Sequence, residues 1–277
     1  MARITAIILT YNEEVNIKRC IDSLSPLVER IVVVDSYSSD KTVEIAKSLG
    51  VEVYSHSFVN QAKQFIWALD NIDIYSPWII RFDADEEMTE KARLELEDLL
   101  IKNENTNVNG IVLRYEVEFI GKKLRHGGIY PFKKMFVFKK GKAHMEDRAM
   151  DEHIILDEGI SIEMKNDCLH HDFKGLSSWI DKHNTYSTRE ANSFFEKTDN
   201  ENAKKLNKSA KKKRFFKDKL YYKLPMGLRA HLYFVYRYYF KLGFLDGKEG
   251  KIFAFMQAYW YRYLVDAKIY EQRKAKK

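Results

Sequence analysis

Short apolar runs alternate with helical patterns through the first hundred residues. Residues 4–9, 31–34, 51–54 and 78–82 are rich in β-branched and aromatic side chains and read as buried strands. Between them, apolar residues spaced by three and four predict helices. The first runs to Leu24 and is stopped by Ser25-Pro26; the second turns Val43, Ala46 and Leu49 inward; the third turns Ala62, Phe65, Ile66 and Leu69 inward. Asp40 is the expected N-cap of the second helix and Gly50 its stop. Strands alternating with helices in this order predict a parallel sheet with right-handed crossovers.

A fourth helix is expected from about Thr89, with Ala92, Leu96, Leu99 and Leu100 inward. The period then changes to two. Leu113, Tyr115, Val117 and Phe119 alternate with Arg114, Glu116 and Glu118, which predicts a half-buried strand of antiparallel type. Gly121 and Gly127-Gly128 punctuate the chain, and residues 134–138 predict another strand. The expected fold class is α/β, with a mixed central sheet over residues 1–175. A helical extension, basic and aromatic, is expected over 176–277.

Candidate chemistry sits where the fourth strand stops, because Trp78-Ile79-Ile80-Arg81-Phe82 runs straight into Asp83-Ala84-Asp85-Glu86-Glu87. In open α/β sheets, ligands bind at the carboxyl ends of strands. Asp83 and Asp85 are two apart, and on an extended backbone they point to the same side, where they repel unless a cation lies between them. A hard divalent ion bridging substrate phosphates would answer that repulsion. The plainer alternative is that the acids only introduce the helix that Thr89 caps. No glycine precedes Gly50, which excludes a glycine-rich phosphate loop after the first strand. A nucleotide diphosphate on this sheet would therefore rely on a metal.

The set Thr10-Tyr11-Asn12-Glu13-Glu14, Val34-Asp35-Ser36 with Asp40, and Asp83-Ala84-Asp85 resembles family 2 glycosyltransferases of the GT-A fold. Arg125-His126-Gly127-Gly128-Ile129-Tyr130-Pro131 and Gly243-Phe244-Leu245-Asp246-Gly247 make it most similar to bacterial enzymes of lipopolysaccharide core and other envelope glycans. The resemblance implies an inverting hexosyltransferase that uses a nucleotide-sugar donor, UDP-linked by preference, and a glycan or lipid-linked acceptor. It also implies site roles. Thr10, Tyr11 and Glu13 would line the nucleotide pocket, Gln64 would belong to the same side, and Asp35 would accept a hydrogen bond from the base. Asp83 would hold ribose or metal, Asp85 would ligate Mn²⁺ or Mg²⁺, and His170 would stand near acceptor or metal. Glu152 would be the general base, with Asp151 the alternative. One departure is Ile66, where related sequences often carry asparagine.

Charge and cysteine content narrow the surroundings. Cys20 and Cys168 match no metal or redox spacing, which suits a reducing compartment. The first residues lead directly into a strand with no leader-like apolar region, and no apolar run is long enough to span a bilayer, so a cytoplasmic protein is expected. The net charge of +7 admits anionic partners. Nine basic residues against Asp218 lie between Lys204 and Lys219, followed by a Tyr/Phe-rich stretch over 228–245 carrying Arg229, His231, Arg237 and Lys241. That combination predicts peripheral docking on the inner membrane surface, with a contact between copies of the chain as another use of the extension. Nucleic acid is not expected, since no reader fold adjoins the basic run. A sugar nucleotidyltransferase would need the missing glycine loop. A non-catalytic membrane-binding module using the Lys204–Lys219 run is the other alternative, and deletion of the residues beyond Lys204 tells it apart from an enzyme.

Overall fold

The computed structural model describes residues 3–147, 152–172, 174–195 and 221–275. The basic run Lys204–Lys219 and Asp151 lie outside the described residues. The chain divides into two compact units, Met1–Glu118 with Pro131–Phe173, and Phe119–Tyr130 with Lys174–Lys277.

The strands are β1 (Ile4–Thr10), β2 (Arg30–Asp35), β3 (Glu52–Ser55), β4 (Trp78–Asp83), β5 (Glu86–Glu87), β6 (Val108–Phe119), β7 (Lys122–Leu124), β8 (Phe132–Lys139), β9 (Ala143–Met145), β10 (Ile154–Leu156) and β11 (Ile160–His170). The first unit is built on the sheet β3-β2-β1-β4-β8-β6-β11-β5. Its first four strands are parallel, and every residue of β1 is buried, as a strand covered on both faces requires. The helices are α1 (Ile17–Leu24), α2 (Thr42–Ser48), α3 (Gln61–Asn71) and α4 (Glu90–Asn103). Ile17, Cys20, Ile21 and Leu24 form the buried stripe of α1. Asn60 and Thr89 cap α3 and α4, accepting the amide hydrogens of Lys63 at 2.8 Å and Ala92 at 3.2 Å.

Three local expectations change. Asp40 stands one residue before the N-cap of α2, Lys41, yet its Oδ1 accepts the Thr42 amide at 3.0 Å, so it still satisfies an orphan donor. Strand β6 is antiparallel to β8 but parallel to β11, a long-range pairing that local alternation does not encode. The extended backbone ends at Asp83, and Ala84-Asp85 form a turn that reverses the chain into β5. Strict same-side alternation therefore does not relate Asp85 to Asp83.

In the second unit, α5 (Gly175–Ser193) packs on the helix Tyr261–Ala275 around Ala191, Tyr261, Val265 and Ile269. Glu190 is buried between them and accepts hydrogen bonds from Tyr261 Oη at 2.7 Å and an Arg262 nitrogen at 2.8 Å. Two glycine-bearing motifs more than a hundred residues apart clasp each other. Asp246 accepts the amide and the Nδ1 of His126, each at 2.8 Å, and Arg237 Nε donates to the Gly127 carbonyl at 2.6 Å. A Cβ on Gly243 would lie 2.9 Å from the Arg237 carbonyl oxygen and 3.4 Å from the Gly127 Cα, so this crossing accepts only glycine without a shift.

Candidate active site

The parallel half of the sheet has its topological switch between β1 and β4. From β1 the chain proceeds outward through β2 to β3, and β4 returns on the other side. Carboxyl ends at such a point form the usual ligand crevice. Thr10 closes β1 in register with Asp35 at the end of β2, and Leu9 is in register with Asp83 at the end of β4. Thr10, Asp35 and Asp83 thus share one end of three adjacent strands.

The two loops leaving β1 and β2 are stapled together by side chains instead of glycines. Ser38 Oγ accepts the Asn12 amide at 2.8 Å, Asn12 Oδ1 accepts the Ser39 amide at 2.8 Å, and Thr42 Oγ1 accepts the Glu13 amide at 2.7 Å. Asp40 Oδ2 accepts the Glu14 amide at 3.1 Å. Asn12 adopts a left-handed backbone with φ of 53°, a conformation asparagine tolerates. The Glu13 carboxylate accepts from Asn16 Nδ2 at 2.8 Å, whereas the Tyr11 side chain is exposed. Asp35 is buried, and its carboxylate accepts the amide of Ser38 at 2.8 Å and its hydroxyl at 2.5 Å. Gln64 reaches the same end from α3, donating to Ser36 Oγ at 3.0 Å and contacting His56 Nδ1 at 2.8 Å. Ile66 packs against the hydrophobic core, which accounts for an apolar residue there.

Beyond β4 the carboxylates fall into two groups. Asp83 Oδ1 lies 3.3 Å from an Arg81 nitrogen and its Oδ2 lies 3.7 Å from Lys134 Nζ. Burial alone would raise the Asp83 carboxyl, but Arg81 and then Lys134 outweigh it and hold the group below the usual carboxylate range. The other Arg81 terminal nitrogen is 3.7 Å from Glu152 Oε1, so the structure links Glu152 to Asp83 through one guanidinium. No motif in the sequence marks Arg81 or Lys134 as part of the site. Period two along β4 places Arg81 on the Asp83 side, the local signal that could have found it.

The second group is Asp85, Glu86 and His170. Pairing of β5 with β11 sets Glu86 opposite His170. His170 Nε2 lies 3.9 Å from Asp85 Oδ2, and its Nδ1 lies 3.8 Å from Glu86 Oε1. Glu86 is fully buried and accepts the Asp83 amide at 3.1 Å. Burial first, and then the charge of Asp83, raises the Glu86 carboxyl above its ordinary range.

Among the described residues, no three His, Cys, Asp or Glu side chains form a closed metal cage. A divalent ion shared with a diphosphate needs only one or two protein carboxylates. The buried Asp85 carboxylate with an imidazole beside it is a donor set that fits such an ion.

Residues 5–150 match the model of glycosyl transferase family 2. The chain belongs to that family. Its α/β sheet, mixed beyond β4 and followed by C-terminal helices, is the GT-A type of fold. As a family 2 glycosyltransferase it is similar along nearly its whole length to the lipopolysaccharide core biosynthesis glycosyltransferase LpsC of Rhizobium meliloti, with 26% identity over 99% of this chain and 94% of LpsC. An uncharacterized glycosyltransferase of Rickettsia bellii is 38% identical over 34% of this chain, and the match spans 32% of that relative. Among solved structures, glucosyl-3-phosphoglycerate synthase from Mycobacterium tuberculosis, in complex with Mn²⁺, UDP and glucosyl-3-phosphoglycerate, overlaps at a TM-score of 0.34 and 21% identity. That overlap covers 42% of this chain and 44% of the synthase.

Proposed function

We propose that this family 2 glycosyltransferase moves a hexose from a nucleotide-diphosphate sugar, UDP-linked by preference, to a glycan or glycolipid acceptor of the bacterial envelope, with inversion. The observation that carries the reading is the convergence of Thr10, Asp35 and Asp83 at the switch point, next to Asp85 with His170. Thr10, Tyr11, Glu13, Asp35 and Gln64 take the nucleotide end. Asp83, already neutralised by Arg81 and Lys134, suits hydrogen bonding to the ribose. Asp85, with His170, would hold Mn²⁺ or Mg²⁺, which would supply Lewis-acid stabilisation of the negative charge developing on the departing diphosphate.

In the transfer, an acceptor hydroxyl oxygen bonds to the anomeric carbon as the bond from that carbon to the phosphate oxygen breaks. The hydroxyl proton passes to the Glu152 carboxylate, and the nucleoside diphosphate leaves. Asp151 is the alternative base. A positioned base contributes about 10²–10⁴-fold. Transfer and nucleotide binding are measured for Glu152→Gln: binding within about twofold of wild type with transfer reduced about a hundredfold or more is expected. Wild-type transfer would reject Glu152 as base.

The lipopolysaccharide relative supports an acceptor held at a membrane, and the second unit carries a surface suited to one. No helix among the described residues is long and apolar enough to cross a bilayer. Leu232, Tyr236, Tyr239, Phe240, Leu242 and Leu245 are nevertheless exposed. The exposed charged residues between Tyr221 and Phe255 are Lys223, Lys241, Lys248 and Lys251, all cationic. Rings backed by lysines match an anionic interface, with the protein peripheral on the cytoplasmic face of the inner membrane.

A further inference from the structure

We propose that Arg81 is a positioning residue for the transfer reaction: its buried guanidinium holds the Glu152 carboxylate at the donor carboxylate Asp83. The inference rests on the reading of Glu152 as the base, and it assigns a role to a residue of the central sheet that need not touch either substrate.

The main sheet does not by itself fix Glu152 relative to Asp83. Glu152 leads into β10, which among the described residues pairs with β9 in a separate two-stranded sheet. Asp83, in contrast, ends β4 in the middle of the main sheet. Arg81 belongs to β4 and bridges the two, with one terminal nitrogen 3.3 Å from Asp83 Oδ1 and the other 3.7 Å from Glu152 Oε1. Arg81 is 1% exposed, and its guanidinium lies 4.7 Å from the Phe136 ring centre and 5.8 Å from that of Phe65. A cation so enclosed is strongly disfavoured unless its partners stay in place, so the same pairing that keeps Arg81 buried keeps the two carboxylates at a fixed separation.

The residue type also matters. The two contacts use different terminal nitrogens of one rigid, planar fork. Lysine would keep the charge, but its three donors diverge from one nitrogen on a flexible stem and do not reproduce the fixed spacing of the two nitrogens of the fork. Arginine between the two acids further offsets the repulsion that would otherwise drive Glu152 away from Asp83. The consequence for chemistry is orientation: displacement of a base by an ångström can cost on the order of a hundredfold in rate, while the donor's own contacts are unaffected.

The test uses the full chain and compares Arg81→Lys, Arg81→Ala, Glu152→Gln and the double variant Arg81→Lys/Glu152→Gln. Turnover is read as nucleotide release, with Mn²⁺, from whichever of UDP-glucose, UDP-galactose, UDP-N-acetylglucosamine and GDP-mannose the wild type turns over fastest. Binding of UDP with Mn²⁺ is read by calorimetry, and folding by circular dichroism. For Arg81→Lys, kcat falls at least about tenfold, while KM for the donor and the UDP affinity stay within about twofold. In the Glu152→Gln background the same substitution changes kcat by less than about twofold, because its route to the chemistry is already gone. Millimolar guanidinium restores part of the rate of Arg81→Ala and none of that of Glu152→Gln.

Independent, multiplying effects of the two substitutions would overturn the inference. So would a raised KM with unchanged kcat, which would assign Arg81 to donor binding through Asp83. Wild-type kcat in Glu152→Gln alone would reject the base itself, an outcome visible without any Arg81 variant.

Discussion

Tyr115 donates its phenolic hydrogen to Glu86 Oε2 at 3.0 Å, inside the core and within one residue of Asp85. The same oxygen accepts the Asp83 amide at 3.1 Å, which closes the turn from β4 into β5 and lets β5 pair with β11 beside His170. Tyr115→Phe removes one donor from a buried carboxylate without changing the shape of the ring. Loss of about 1–3 kcal/mol is expected in urea unfolding. Because the turn also presents Asp85, weaker Mn²⁺-dependent UDP binding should accompany the lost stability. A variant with wild-type stability would show that Tyr115 contributes nothing to holding Glu86.

The second unit contains a histidine with a definite pH signature. His183 stacks on Trp179 with ring centres 3.5 Å apart and donates from Nδ1 to the Trp179 carbonyl at 2.8 Å. Burial lowers its pKa from 6.5 to about 4, against the smaller raising effect of that hydrogen bond. The folded chain therefore resists a proton that the unfolded chain takes up near 6.5. The stabilising contribution is complete above that value and is lost as pH falls toward about 4. Urea midpoints at about pH 7 and about pH 5 should show a smaller decline for His183→Gln than for wild type. Equal declines would mean that other groups carry the acid sensitivity.

The docking surface proposed on the second unit makes a separate prediction. Phe240 is 76% exposed and Leu245 is 54% exposed, so replacing both by serine should leave the thermal midpoint nearly unchanged. Co-sedimentation with phosphatidylcholine vesicles containing phosphatidylglycerol should fall markedly, and wild-type binding should weaken with added salt. Undiminished sedimentation of the double variant would remove this face from the membrane contact.

Much of the first unit was readable because its signals are local. The β-α-β-α-β-α-β order follows from runs and periods that need no distant partner, and so does the cap Thr89. The acids after Phe82 stood out because charge interrupts a buried strand. Pairings across fifty or more residues were not readable: β6 against β11, β5 against β11, and Asp246 against His126 depend on register and loop closure. The role of Arg81 is not legible in the sequence for a related reason. A lone arginine inside a strand signals a partner without naming it, and the partner Glu152 lies seventy-one residues away.

The central claim is that Asp85 joins the nucleotide to the protein through a divalent ion, and calorimetry of UDP with and without Mn²⁺ tests it most directly. For the wild type, Mn²⁺ should tighten UDP binding by at least about tenfold, and Asp85→Ala should bind UDP equally weakly in both conditions. A wild-type affinity indifferent to Mn²⁺, or an Asp85→Ala variant that keeps the full metal effect, would contradict it.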